Sequence, residues 1–301
     1  MPSWRQVQDE IRNSPSAWDV TRRKYLARLH KYTGRNVIVY YSGWLEKPQS
    51  VELLGEELNI NDKDKNGLMS VVQGLYKSKG LDLFLHTPGG DIAATESIVE
   101  YLRAMFPGDI RVIVPQLAMS CGTMIALASN EIVMGNHSSL GPIDPQFGSF
   151  AAHGIIEEFE TASAEIAIDP RKAAVWAPIL DKYRPTTIGK CYKAIEWSRT
   201  IVHDWLVTGM FSENDNPSLS ANKVLDELAS QLTLVHNRHI SLKKAQDLGL
   251  NVTALESNQK LQDLVLSIHH ALIITLWETQ AIKIIENHKG DAFINFMPGQ
   301  R

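Results

Sequence analysis

Apolar and polar positions along the chain fall into two recurrent arrangements: short unbroken apolar runs, and longer stretches in which apolar residues return every three or four positions. Leu81 to His86 is of the first kind, an apolar run with one Asp, closed by Thr87-Pro88-Gly89-Gly90, and it predicts a buried strand ended by a turn. Asp91 then caps a helix from Ile92 to Met105, with Ile98, Val99, Leu102 and Met105 on one face and Glu96, Glu100 and Arg103 on the other. The pattern repeats at once. Ile110 to Pro115 reads as a second buried strand, and Ala118-Met119-Ser120-Cys121-Gly122-Thr123 leads into a small-residue helix from Met124 to Ser129. Asn36 to Tyr41 and Glu131 to Met134 are further short strands.

Elsewhere the helical period dominates. Residues 4 to 33 predict two helices, the second starting near Ser16 and carrying Trp18, Val20, Tyr25, Leu26 and Leu29 inward. Lys190 to Val207, Ser220 to Leu234 and Asn258 to Asn287 predict three helices that make the last third largely helical, the final one long enough to reach a partner subunit. Trp197, Trp205 and Trp277 read as core or interface anchors. Asp62-Lys63-Asp64-Lys65-Asn66-Gly67 imitates the start of a calcium loop, but its twelfth position is Gln73 rather than a bidentate Glu, and Leu68, Val71, Val72 and Leu75 begin a helix there.

Composition narrows the class. A chain of 301 residues, 44% hydrophobic and 21% charged, is ordinary for a globular α/β protein with a sizeable core. A net charge of −4 and a pI near 6.2 give no pull toward nucleic acid or anionic lipid. The two cysteines, Cys121 and Cys191, have no metal-ligand spacing and suggest no disulfide framework, so neither a metal nor another cofactor is expected. The polar N-terminus lacks a signal-peptide core, and the most apolar stretch, Leu264 to Ile285, is broken by His269, His270, Glu278 and Lys283. These features predict a cytoplasmic protein with no membrane anchor.

Chemistry is expected at the two strand-to-helix turns. Successive glycines before a capped helix let the backbone bend with N–H groups facing outward. A serine at the second bend, followed by Cys121 and Gly122, can present its hydroxyl as a nucleophile, where the N–H groups of Cys121 and Gly90 would share an oxyanion. Parallel adjacent strands would set both turns at one end of the sheet, where open α/β sheets bind ligands. The competing reading of Ser120 is a simple helix N-cap. Cys121 reads as a small packing residue whose backbone, not thiol, matters.

His86-Thr87-Pro88-Gly89-Gly90-Asp91, Met119-Ser120-Cys121-Gly122-Thr123 and Ser139-Leu140-Gly141-Pro142-Ile143-Asp144-Pro145-Gln146, with the late segment Ile240 to Leu250, resemble the ClpP/crotonase superfamily. The closest look is to the serine dehydrogenase proteinases, relatives of signal peptide peptidase A. The resemblance covers roughly residues 35 to 255 and implies a spiral of ββα units, with a helical extension at 1–34 and a C-terminal helical, oligomerising segment at 256–301. It implies a serine endopeptidase acting on polypeptide, assembled as a trimer-based or ring homo-oligomer. Gly89, Asp91 and Asp144 would border an extended substrate that adds a strand beside the glycine turn.

Two departures bear on the proton acceptor. Where ClpP carries its triad histidine this chain has Asp144, and where ClpP carries the aspartate it has Asn237. His137 and His236 lie nearby and are candidate bases. Signal peptide peptidase-like relatives use a lysine, which must be desolvated to be neutral, and Lys172, beside Ala173, Ala174 and Trp176, is the first choice. The alternatives are a crotonase-like acyl-CoA enzyme, which would not need Ser120, and a non-catalytic Clp-fold assembly module, in which no base approaches it. No Gly-x-Gly-x-x-Gly signature supports a dehydrogenase.

Overall fold

In the computed structural model, which describes residues 17–147, 150–232 and 239–297, the apolar runs become the strands of a seven-stranded sheet, accompanied by a three-stranded sheet and a two-stranded one. The strands are β1 (Asn36–Ser42), β2 (Leu81–His86), β3 (Ile110–Val114), β4 (Leu117–Ala118), β5 (Glu131–Met134), β6 (Ser139–Leu140), β7 (Gln146–Phe147), β8 (Phe150–Ala151), β9 (Ile240–Ser241), β10 (Val252–Ala254), β11 (Ala281–Asn287) and β12 (Ala292–Phe296). The helices are α1 (Ala17–Thr33), α2 (Val51–Leu58), α3 (Asp62–Val72), α4 (Ile92–Met105), α5 (Cys121–Leu127), α6 (Ala152–Ile168), α7 (Ala173–Leu180), α8 (Thr187–Thr208), α9 (Pro217–Leu232), α10 (Leu242–Asp247) and α11 (Gln259–Glu278). The sheet order is β10-β5-β3-β2-β1-β11-β12, parallel from β10 to β1 and antiparallel thereafter. This is a mixed α/β architecture built on a central sheet.

Both faces of the sheet are covered, which is why its central strands read as continuous apolar runs. Along β1, Ile38 and Tyr40 enter one core while Val37, Val39 and Tyr41 enter the other; along β3, Val112 and Val114 oppose Ile113 in the same way. The first core is closed by side chains of α3, α4, α5, α8 and α9, and the second by α1 and α11. An arm of α6, α7 and the start of α8 has its own small core of Ala152, Ile155, Ile156 and Cys191.

Several expected boundaries coincide with the observed ones: β2 and β5 are as read, and α4 runs Ile92–Met105 under an Asp91 cap, whose side chain accepts from Ala94 N. The calcium-like segment is the opening of α3, capped reciprocally by Asn61 and Asp64. The first of the two N-terminal helices expected in residues 4–33 falls in a stretch that begins outside the described residues. In the second, α1, Tyr25, Leu26 and Leu29 are buried as expected, while Val20 is exposed.

The expected helix from Asn258 to Asn287, and with it the wholly helical C-terminal appendage, is corrected. The helix ends at Glu278, and β11 follows after Thr279 and Gln280. Ala281, Ile282, Ile284 and Ile285 are all buried, and β11 pairs antiparallel with β1 in the register Tyr40↔Ile285. A β-branched isoleucine run fits a strand once a partner is present, and that partner lies at the other end of the chain. Glu286 on this strand accepts from Arg22 and Arg23 of α1, so both terminal segments lock onto the same edge of the sheet. Among the described residues no helix is long and apolar enough to cross a membrane.

Candidate active site

The turn after β2 is held in place from two sides. Ile60 forms an isolated parallel bridge with Gly90: Ile60 N donates to Gly89 O at 2.7 Å and Asp91 N donates to Ile60 O at 2.9 Å. A Cβ on Gly90 would stand 2.3 Å from the N and O of Ile60, so the close approach requires glycine. Gly89 has φ +105°, and a Cβ there would come within 2.7 Å of the Ser120 Cβ. The second turn is joined to the first by Met119 N donating to Thr87 O at 3.0 Å and Thr87 N donating to Leu117 O at 3.2 Å. The glycine pair and the serine are thus in contact because their strands are linked through Thr87.

Ser120 itself adopts φ +50° and ψ −117° just before α5, and its side chain makes no capping hydrogen bond. Thr186 is the other non-glycine residue with positive φ among the described residues. The N-cap reading of Ser120 therefore does not hold. Cys121 is buried, its thiol donates to Gly90 O at 3.1 Å, and burial raises its pKa, so the thiol is turned inward and protonated. Among the described residues no acceptor takes the N–H of Gly90 or that of Cys121.

These groups border a cavity of about 280 Å³ whose wall includes Gly90, Ser120, Cys121, Asp144, Phe147 and Trp197. The loop carrying Asp144 is pinned to the serine turn by Thr123, whose hydroxyl donates to Ala118 O at 2.8 Å and accepts from Gly141 N at 2.9 Å. Asp144 is buried, and its Oδ1 lies 2.6 Å from Nδ1 of His153, a partly exposed residue in the first turn of α6. Asp91 borders the same cavity, but its Oδ1 is engaged in capping α4 at 2.8 Å.

The other expected site residues are placed as follows. Lys172 is not brought to the cavity: it lies on the arm between α6 and α7, its side chain is 46% exposed, and its Nζ pairs with Glu165 Oε2 at 3.2 Å. Of the apolar neighbours that recommended it, Ala173 and Ala174 are exposed and Trp176 is only half-buried, its indole N–H donating to Glu165 Oε2 at 3.0 Å, so they do not desolvate it. His236 and Asn237 lie outside the described residues. His137 is exposed, lies near enough to His269 and His270 to act on them electrostatically, and does not line the serine cavity. On one side of the glycine turn Ile60 already engages Gly89 O and Asp91 N, which leaves Gly90 N–H on the other side as the open donor of the turn among the described residues.

Two buried clusters behind the glycine turn escaped the sequence reading. His86, at the end of β2, is buried with neither ring nitrogen hydrogen-bonded; its ring centroid lies 4.3 Å from that of Trp44 and 5.2 Å from that of Tyr41, and burial lowers its pKa to about 3. Next to it, Tyr41 Oη is 3.1 Å from His269 Nδ1, and burial also holds His269 neutral. In the second cluster, Lys283 Nζ donates to both Asp64 carboxylate oxygens at 2.9 Å and to Asn59 O at 2.8 Å, while Tyr40 Oη donates to Asp64 Oδ2 at 2.7 Å. The polar residues stood inside apolar runs, which was the available signal. No group of three or more His, Cys, Asp or Glu among the described residues is placed to hold a metal ion.

A parallel sheet with a serine on a strained strand-to-helix turn, set against a double-glycine turn, defines the class of Clp-type α/β proteins. The chain belongs to the ClpP-like SDH-type serine proteinases, whose family model matches residues 15–270. The match extends beyond the 35–255 stretch in which the motifs lie and takes in α1 and most of α11. Among curated proteins it is similar to two uncharacterized proteins of Methanocaldococcus jannaschii. One is 30% identical over 235 residues, spanning 77% of this chain and 73% of the relative. The other is 29% identical over 202 residues, spanning 62% of this chain and 67% of the relative.

Proposed function

We propose that the protein is a serine endopeptidase in which Ser120 attacks a peptide carbonyl and the N–H groups of Gly90 and Cys121 hold the oxyanion. The observation that carries this reading is the Ser120 backbone. A non-glycine residue at positive φ costs about 1–3 kcal/mol and persists where the surrounding structure enforces it, as at nucleophile turns that expose a hydroxyl. The serine receives no capping bond in return. Two unengaged N–H groups beside it provide the donors that a tetrahedral intermediate needs.

Lys172 does not serve as base in this arrangement. Asp144 takes that place in the proposal: it lines the same cavity as Ser120, and His153 holds its carboxylate at 2.6 Å. In the acylation step the Ser120 proton passes to Asp144, the hydroxyl oxygen bonds to the carbonyl carbon, and the amine departs with that proton; water then attacks the acyl-enzyme. Gly89 and Asp91 act as backbone supports of the oxyanion turn rather than as substrate contacts. Polypeptide is the substrate, no cofactor enters the step, and a homo-oligomer is the working form.

Fluorophosphonate labelling with mass mapping of the adduct tests the assignment. Wild type is expected to label at Ser120, Ser120→Ala not at all, and Asp144→Asn and His153→Ala at least ~100-fold more slowly, the scale of a lost acid–base group. Full labelling in Asp144→Asn with loss in Lys172→Ala would instead return the lysine to the site, contributed by a neighbouring subunit.

A further inference from the structure

Beside the serine cavity lies a second one of about 820 Å³, framed by the β7–β8 hairpin, the face of α6, the end of α7 and the start of α8. Phe147 stands in the wall of both, so the two adjoin. The floor is apolar, with Phe147, Ile155 and Ile179, Phe150 stands exposed at its side, and the rim carries Lys182, Arg184 and Lys190. Its volume is in the range of built ligand sites, about 300–1,000 Å³.

The charge at this rim is what separates it from the rest of the arm. Arg171 is paired with Asp169, Lys172 with Glu165 and Arg199 with Asp226, whereas Lys182, Arg184 and Lys190 have no carboxylate partner among the described residues. The carboxylate that lines the cavity, Glu158, accepts from the Tyr183 hydroxyl. Three uncommitted cations therefore gather around one apolar hollow in a protein whose net charge is −4. A neutral or basic occupant would leave them unmatched, while a chain that interleaves carboxylates with apolar side chains satisfies rim and floor together.

We infer that this cavity binds polypeptide bearing Asp or Glu next to apolar residues, and that Lys182, Arg184 and Lys190 give the enzyme a preference for acidic substrates. The inference rests on Ser120 acting as the peptidase nucleophile and supplies the substrate class for that reading. Phe147, shared by the two walls, would guide the bound chain from the acidic-selective cavity to the serine.

The test has two arms and a separate control. The control is fluorophosphonate labelling of wild type at Ser120, which reports on the serine reading alone. In the first arm, a fluorescein-labelled peptide Leu-Glu-Glu-Leu-Glu-Glu-Leu and its Gln counterpart are titrated by anisotropy against full-length Ser120→Ala protein. The Glu peptide is expected to bind at least ~10-fold more tightly, with the gap closing at about 0.5 M NaCl as exposed charges are screened, and closing equally when Lys182→Ala, Arg184→Ala and Lys190→Ala are added together. In the second arm, a random peptide library cut by wild type is read by mass spectrometry, and acidic residues are expected to be enriched on one side of the cleavage point and lost in the triple variant. Equal binding of the Glu and Gln peptides, or a preference that survives the triple substitution in a variant with wild-type circular dichroism, overturns the inference even if Ser120 labels normally. A triple variant that changes the oligomer mass while leaving selectivity intact also overturns it, since the cavity would then be a contact between copies. If Ser120 does not label, the peptidase reading fails and the anisotropy arm still decides whether the cavity selects acidic chains.

Discussion

Replacing Lys283 by Met removes one charge of a pair in which both partners are buried, at nearly constant side-chain volume. Lys283 and Asp64 are each 0% exposed, and the ammonium supplies two of the hydrogen bonds that the carboxylate receives, at 2.9 Å. In Lys283→Met, Asp64 keeps only the Tyr40 hydroxyl and the Asn61 N–H. An uncompensated buried charge costs about 3–5 kcal/mol, against about 0–1 for an exposed pair. That is a large part of the roughly 5–15 kcal/mol that holds a domain together. Urea unfolding, read by tryptophan fluorescence, should show the midpoint falling accordingly, and Asp64→Leu added to Lys283→Met should recover much of the loss. The same pair is linked to the site through one residue: Lys283 holds the carbonyl of Asn59, whose neighbour Ile60 brackets the glycine turn. Fluorophosphonate labelling of Lys283→Met should therefore slow under conditions where the protein is still folded. A loss below about 1 kcal/mol, or a double variant whose destabilisation is the sum of the single ones, would refute the reasoning.

Gly90→Ala places a methyl 2.3 Å from the Ile60 backbone and should both lower the thermal midpoint and cut Ser120 labelling by about 10²–10³, the scale of one lost oxyanion donor; unchanged labelling would remove Gly90 from the site. Gly89→Ala, whose Cβ would meet the Ser120 Cβ at 2.7 Å, should slow labelling with a smaller effect on stability, checked by the same two measurements. Stability should fall in mild acid. Burial depresses the pKa values of His86, His269, His270 and His288 in the fold, so below about pH 6.5 the unfolded chain takes up protons that the fold refuses. Burial raises Glu46 to about 7, and its contribution runs the other way, being present below its unfolded pKa and lost as pH rises through 7. Four histidines against one glutamate leave a net loss of stability as pH falls from about 6.5 to about 5, measurable as the drift of the urea midpoint with pH; a flat profile over that range would contradict it. His86→Leu, which replaces a ring with two unsatisfied nitrogens, should flatten that slope and leave stability at pH 7 unchanged or higher.

Where local signals sufficed, the structure was readable from the sequence. Proline and glycine at 88–90 end β2, Asp91 starts α4, and the glycine and serine turns stand side by side as their common position in a repeated strand-to-helix pattern implied. What depended on distant partners was not readable. The residues from Ala281 to Asn287 satisfy a helical period and a strand period alike, and the β1 edge that decides between them lies more than 200 positions earlier. Lys172 was chosen for apolar neighbours in sequence, but Ala173 and Ala174 are exposed and Trp176 is only half-buried, and neighbours in sequence desolvate a lysine only if the fold buries them. Asp144 was expected in the loop near the serine, and its contact with His153, nine residues on, follows from the β7–β8 pairing rather than from any spacing rule.

The position of β11 between β1 and β12 has a consequence for how the protein is made. β1 leaves the ribosome early, with every residue destined for burial, and can pair with β2 on one side as soon as residue 86 emerges. Its other edge must wait for residue 281, 239 residues after Ser42 (281 − 42), which at synthesis rates of about 5–20 residues per second is an interval of about 12–48 s. Through that interval the nascent chain carries a long, apolar, unprotected strand edge, the feature most apt to recruit a second chain. Translation speed between residues 86 and 281, and the availability of chaperones during that interval, should therefore influence the yield of native protein.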